Sequence, residues 1–326
     1  MGSAESLEAE ALAARVASLV PGVRAGERVA VARALNLVED RRPQARPLIA
    51  ALLTALGGGR ARGHRIGLTG PPGVGKSTLV SVLAAALRAR GLSVGVLAVD
   101  PSSRRSGGAL LGDRARIDTD PEDQGLFVRS LATAGELGGL ARAAPAAVMV
   151  LAAAFDRVLV ETVGVGQSET DVEHVVDTVV FVVQPGSGDA LQFLKAGIME
   201  IPDLLVVNKA DMGETAQRAR AELLGVLHVA HSAGVPTAAL TAGSDVVLVS
   251  AARRDGIDNL VDALDRHRRA QEASGALTER RVHGQVEWGL RELVRRVGEE
   301  GVALEGGRAA ARARIEALVR GGTAPL

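Results

Sequence analysis

The sequence predicts an α/β protein with a mainly parallel central sheet covered by helices on both faces. Three observations lead there. Seven short runs of Val, Ile and Leu alternate with helical stretches: Ile66 to Thr69, Val94 to Val99, Leu126 to Val128, Val158 to Val160, Val179 to Val183, Leu204 to Val207 and Val246 to Val249. Most of these runs are continuously apolar, as strands buried on both faces must be. Hydrophobic residues make up 47% of the chain and aromatics only 2%, so the core must be filled by Val, Leu, Ile and Ala.

The elements follow in order. Residues 1–60 read as a helical segment. Leu12, Val16 and Leu19 share one face, with Pro21-Gly22 expected to stop that helix. Val31, Leu35 and Val38 form a second stripe before Arg42-Pro43. Leu48, Leu52 and Leu56 form a third, ended by Gly57-Gly58-Gly59. Residues 61–270 hold the alternating strands and helices. Residues 271–326 turn helical again: Val286, Leu290, Leu293, Val294 and Val297 make one stripe, and Ile315, Leu318 and Val319 another beyond a glycine-rich break. This last segment is expected to act as a dimerising arm.

Composition excludes several classes. The chain has 326 residues with 38 basic and 38 acidic side chains, which argues against broad electrostatic binding to nucleic acid or an anionic membrane. No apolar run reaches the ~18 residues of a membrane span. Cysteine is absent, so disulfides and thiolate metal sites are ruled out, in keeping with a reducing cytoplasm. Only three basic residues are lysine, Lys76, Lys195 and Lys209; the other 35 are arginine. Lysine is expected to persist where a compact ammonium is needed and a planar fork will not serve.

The chemistry gathers at the strand ends. The first strand runs into GPPGVGKST, Gly70 to Thr78, which matches G-x-x-x-x-G-K-[ST] with a strand before it and a helix after. This is a P-loop, so the expected fold is that of a P-loop NTPase. Gly70, Gly73, Val74, Gly75, Lys76, Ser77 and Thr78 would wrap backbone N–H groups around phosphate at a helix N-terminus. Lys76 would reach the β- and γ-phosphates, and Ser77 would ligate Mg²⁺. The second strand ends at Asp100 and the fourth at Glu161, so acids stand at the carboxyl ends of parallel strands, where such sheets bind ligands. Either would hold Mg²⁺ through water or orient the attacking water. Gly164 would offer its N–H to the γ-phosphate.

Leu204 to Val207 leads into Asn208-Lys209-Ala210-Asp211. The Asp211 carboxylate can accept from both N1–H and the 2-amino group of guanine. Adenine offers neither, and a site left with an unpaired buried acid discriminates by ~10⁴ or more. Asn208 would tie neighbouring loops together, and the Lys209 stem would cover the ring. The last strand ends in Ser250-Ala251-Ala252, where a backbone N–H can meet guanine O6. The ligand expected is therefore GTP or GDP rather than ATP.

With those residues in view, the chain resembles the methylmalonyl-CoA mutase-associated GTPases (MeaB, also called ArgK) from Val31 to His267. The resemblance rests on VLAVDPSSRRSGGALLGDRAR (Val96 to Arg116), LGGLARA (Leu137 to Ala143), ETVGVGQSE (from Glu161) and GSGDALQFLKAGIMEIPD (Gly186 to Asp203). It implies that Glu161 faces Mg²⁺ and γ-phosphate, and that Asp100 and Asp113 line the Mg²⁺ side, with Asp113 in a first switch. It implies that Arg116 pairs with phosphate. Gly186 to Asp203, with Asp189 and Lys195, would be a switch that relays nucleotide state. The implied function is a cytoplasmic, homodimeric GTP-hydrolysing switch that gates cofactor loading or protection of a cobalamin-dependent acyl-CoA mutase, methylmalonyl-CoA mutase by default. A metallochaperone-type GTPase and a kinase linked to basic amino-acid transport stand as alternatives.

Overall fold

The computed structural model describes residues 14–100, 122–132, 142–162, 172–186, 202–232 and 246–326. They form two compact units. One gathers the chain up to Gly63, Arg142–Asp156 and Thr278–Leu326. The other comprises His64–Ala141 and Arg157–Leu277. The expected division at residues 60 and 270 is thus regrouped: both terminal helical segments and one internal helix share a unit.

The second unit is built on seven strands: β1 (His64–Thr69), β2 (Val94–Asp100), β3 (Leu126–Ala132), β4 (Arg157–Glu161), β5 (Thr178–Val183), β6 (Leu204–Val207) and β7 (Val247–Leu248). Their order is β3-β2-β4-β1-β5-β6-β7, and every pairing is parallel. All seven expected strands are present. The last is shorter than the apolar run Val246 to Val249, because only Val247 and Leu248 pair with β6.

Period two splits the strands between two faces. Val180, Val182, Leu204 and Val206 join Leu79, Leu83 and Leu87 of α4 (Lys76–Ala89) and Leu260, Val261 and Leu264 of α7 (Ile257–Ser274). Phe181, Val183, Leu205 and Val207 face the other way, onto Ala216, Leu223 and Leu227 of α6 (Glu214–Ser232). No helix among the described residues is long and apolar enough to cross a membrane.

The first unit contains α1 (residues 14–24), α2 (Arg28–Val38), α3 (Arg46–Ala55), α5 (Ala144–Ala154), α8 (Ala276–Leu304) and α9 (Gly307–Arg320). The stop expected at Pro21-Gly22 is not used. Proline lacks a donor but its carbonyl still accepts, and Ala25 N–H donates to Pro21 O at 2.9 Å. The break comes at Gly26, whose φ of 72° suits glycine. The stripes assigned to a dimerising arm are largely consumed within the chain. Val286 and Leu290 of α8 bury against Ile315 and Val319 of α9, with Gly298 (φ 71°) breaking α8 between them. Val297 and Leu318 stay exposed, at 43% and 50%.

At the amino ends of the strands runs a buried polar chain. His64 Nε2 lies 2.7 Å from Thr178 Oγ1, and Thr178 Oγ1 lies 2.9 Å from His267 Nδ1. His267 Nε2 faces Asp203 Oδ1 at 3.5 Å, while Asp203 Oδ2 accepts from Val179 N–H at 2.7 Å. The directions are mutually consistent if His64 Nε2–H donates to Thr178, whose hydroxyl donates to His267. Burial pushes His64 down to about 3, outweighing the pull of Asp177. Between pH 6.5 and 3 the unfolded chain therefore binds a proton at His64 that the folded one refuses, so stability falls as pH falls through that window. One site contributes a slope of up to about 1.4 kcal/mol per pH unit. Urea unfolding at pH 6.5, 5.5 and 4.5 should show His64→Gln losing stability less steeply than the wild type by about that amount.

Candidate active site

β1 lies at the middle of the sheet, between β4 and β5, where the chain's connections diverge to either side. Ligands of such sheets bind beyond the carboxyl ends of the strands at that point. The loop after β1 is Gly70 to Gly75, and α4 begins at Lys76. Two glycines there are compulsory. A Cβ at Gly70 (φ 141°) would lie 2.1 Å from Val182 O, and one at Gly75 (φ 90°) 2.6 Å from Asn208 Nδ2. The side chain of Lys76 is buried, and its Nζ donates to Gly70 O at 2.7 Å and Pro71 O at 3.0 Å, curling over the loop's own carbonyls.

Ser77 is the second residue of α4 and Glu161 closes β4. Register brings Glu161 opposite Leu68 of β1 and Ala98 of β2. Ser77 Oγ donates to Glu161 Oε1 at 2.6 Å. The pair offers two hard oxygen donors at the mouth of the P-loop, a set that suits Mg²⁺. Asp100 ends β2 one strand away. Asp113, Arg116, Gly164, Asp189 and Lys195 lie outside the described residues.

The base end is assembled by β6 and β7. Asn208 is buried; its Nδ2 donates to Val74 O at 2.9 Å and its Oδ1 accepts from Ala251 N–H at 3.1 Å. Lys209 takes a left-handed backbone, φ 59°. Its Nζ donates to Gly73 O at 3.2 Å and Gln184 Oε1 at 2.5 Å. Ser250 Oγ donates to Asp211 Oδ1 at 2.6 Å, and that bond, aided by Arg253 and Lys209, holds the carboxyl below its ordinary range. Asp211 thus stays ionised, as an acceptor of two base donors must be. Ala252 is exposed beside this pair. Of the Ser250-Ala251-Ala252 segment expected to present a backbone N–H to guanine O6, the Ala251 N–H already serves Asn208. Sequence reasoning named these residues except Gln184 and Arg253, which carry no motif; the register of β5 with β6 reveals Gln184.

The expected P-loop, Asn208-Lys209-Ala210-Asp211 and Ser250 to Ala252 segments therefore converge at one edge, with Glu161 beside Ser77. Comparison with known proteins agrees. Residues 31–303 match the family described as "Methylmalonyl Co-A mutase-associated GTPase MeaB". A probable GTPase of Mycobacterium tuberculosis is 42% identical over 277 residues, covering 84% of this chain and 81% of its own. The GTPase ArgK of Escherichia coli is 38% identical over 281 residues, covering 84% and 82%. A solved structure described as a LAO/AO transport system kinase superposes with a TM-score of 0.66 at 31% identity, covering 96% of this chain and 94% of that one.

Asn208→Ala tests how the site is joined. It leaves Val74 O and Ala251 N–H unpartnered in the interior, so stability should fall by about 2 kcal/mol, read as a lower urea midpoint. Affinity for a fluorescent GDP should fall at least ~10-fold with it.

Proposed function

The chain belongs to the methylmalonyl-CoA mutase-associated GTPase family and is a GTPase, binding GTP and GDP, and on that footing we propose that hydrolysis acts as a switch on a partner enzyme. The partner is a cobalamin-dependent acyl-CoA mutase, with methylmalonyl-CoA mutase the first to test, and the switch gates loading or protection of its cofactor. The family's name supports the choice of partner. The observation that carries the GTP reading is the Ser250–Asp211 bond, 2.6 Å, which holds an ionised carboxylate able to accept from the two donors of guanine.

Each residue then has a task. Gly70 to Thr78 hold the phosphates by backbone N–H groups, and Lys76 swings from its two carbonyls to the β- and γ-oxygens. Mg²⁺, when bound, neutralises phosphate charge; Ser77, Glu161, Asp100 and Asp113 are the residues that would hold it. Gly164 would meet the γ-phosphate. Arg116, Asp189 and Lys195 are proposed for the segments that respond to its loss. Catalysis of this kind is positioning and charge neutralisation, slow alone and quickened by a partner. The kinase name carried by the solved relative is the second reading, and Asp211 counts against ATP as phosphoryl donor.

A homodimer is also proposed, through what α8 and α9 leave exposed: Val297, Leu304 at 90% exposure, and Leu318. Light scattering should give twice the 33.5 kDa chain mass for the wild type and a monomer for Leu304→Glu/Leu318→Glu. A dimer surviving both changes would remove these helices from the interface. For the partner, GTP turnover should rise and saturate against one purified cobalamin-dependent acyl-CoA mutase. A flat response to every such mutase would overturn the switch reading and leave the GTPase without a client.

A further inference from the structure

β5 and β6 pair in parallel with Val183 opposite Val207, and Asn208 N–H continues the ladder by donating to Val183 O at 2.9 Å. The next residue out on β5 is Gln184, so the register delivers it beside Asn208 and Lys209. Lys209 Nζ has two acceptors there, Gly73 O at 3.2 Å and Gln184 Oε1 at 2.5 Å. An ammonium has no lone pair, so the amide oxygen and not the nitrogen of Gln184 must face it. Three chain segments meet at one nitrogen: the P-loop through Gly73, the exit of β5 through Gln184, and the exit of β6 through Lys209 itself.

Lys209 needs such an anchor. Its backbone sits at φ 59°, where a side chain is strained. Backbone bonds secure the turn: Ala210 N–H donates to Val249 O at 2.9 Å and Met212 N–H to Lys209 O at 3.0 Å. They do not fix the four-carbon stem. Its ammonium is held at the far end of the stem, and Gln184 supplies the shorter of the two bonds there.

We infer that Gln184 is a positioning residue for nucleotide binding, holding the Lys209 stem flat against the purine ring by accepting from its ammonium. The inference rests on the guanine-nucleotide reading above and adds a residue that no motif marks. It makes a distinctive claim. A stem lying on a ring does not read the 2-amino group, so loss of Gln184 must weaken binding of guanine and hypoxanthine nucleotides alike. Asp211, by contrast, separates those two.

The test is stopped-flow dissociation of fluorescent GDP and fluorescent IDP from the full chain carrying Gln184→Met, with Gln184→Leu as a second variant and Gln184→Glu as the rescue. Methionine keeps the length and removes the acceptor; glutamate keeps an oxygen at the same reach. Methionine and leucine should speed release of both nucleotides about 10-fold, the size of one charge-assisted bond at a half-buried site. The GDP-to-IDP ratio should stay within about twofold, the nucleotide-free melting temperature should not move, and glutamate should restore slow release. Unchanged release in both apolar variants, a shifted GDP-to-IDP ratio, or a glutamate variant as fast as methionine would each overturn the inference. Failure of the wild type to bind GDP would instead bring down the nucleotide reading beneath it.

Discussion

The buried side chain of Asn208 is the contact on which the ligand edge depends. Its amide spends a donor on Val74 and an acceptor on Ala251, so one side chain ties the phosphate loop to the exits of β6 and β7. An amide in the interior must satisfy its polar atoms or cost the fold free energy, and here both chemistries find main-chain partners. Its position also dictates its neighbours. Gly75 must lack a Cβ because Asn208 Nδ2 occupies that space. Lys209, the next residue, must turn left-handed to bring Ala210 and Asp211 back over the site.

The sheet makes that contact possible. Parallel order places every strand's carboxyl end on one edge, so loops distant in sequence arrive together without a special device. Glu161 reaches Ser77 because β4 lies beside β1 in a register that pairs it with Leu68. The opposite edge has a different task. There His64, Thr178, His267 and Asp203 link β1, α7 and the start of β5 and β6 through two side-chain hydrogen bonds, the Asp203–Val179 bond and a His267–Asp203 contact at 3.5 Å. Glu161 and the buried imidazoles of His64 and His267 thus sit at opposite ends of the sheet.

How much of this was legible in the sequence follows from what one dimension records. Continuous apolar runs report burial on both faces, so all seven strands and their parallel sense could be read. Motif spacing reports backbone geometry, so the residues of the P-loop and of Asn208 to Asp211 could be read as one convergent set. Periodicity reports that a stripe is buried but not what covers it. Val286 and Leu290 therefore looked like a dimer surface, although Ile315 and Val319 of the same chain cover them. Likewise Pro21 looked like a stop, because a proline's lost donor is visible in sequence and its still-working carbonyl is not. Gln184 was silent because its role comes from cross-strand register, which no local pattern encodes.

The scarcity of lysine acquires a reason at this edge. Elsewhere arginine serves wherever a planar carboxylate is the partner: Arg88 uses Nε and one terminal nitrogen together on Asp123, and Arg90 spreads across Asp258 and Asp262. At the nucleotide edge the acceptors are single carbonyl oxygens from separate residues. Lys76 meets Gly70 O and Pro71 O; Lys209 meets Gly73 O and the amide oxygen of Gln184. A tetrahedral ammonium can satisfy two such oxygens, then exchange one of them for a phosphate oxygen or a ring edge by a small rotation. A guanidinium fork carries five donors in one plane and would leave several unmet in a loop this tight. Arginine also meets single carbonyls in this chain, as Arg281 does at Ala61 O and Gly63 O, but both described lysines stand at the P-loop, each with two such oxygens within reach of one compact ammonium.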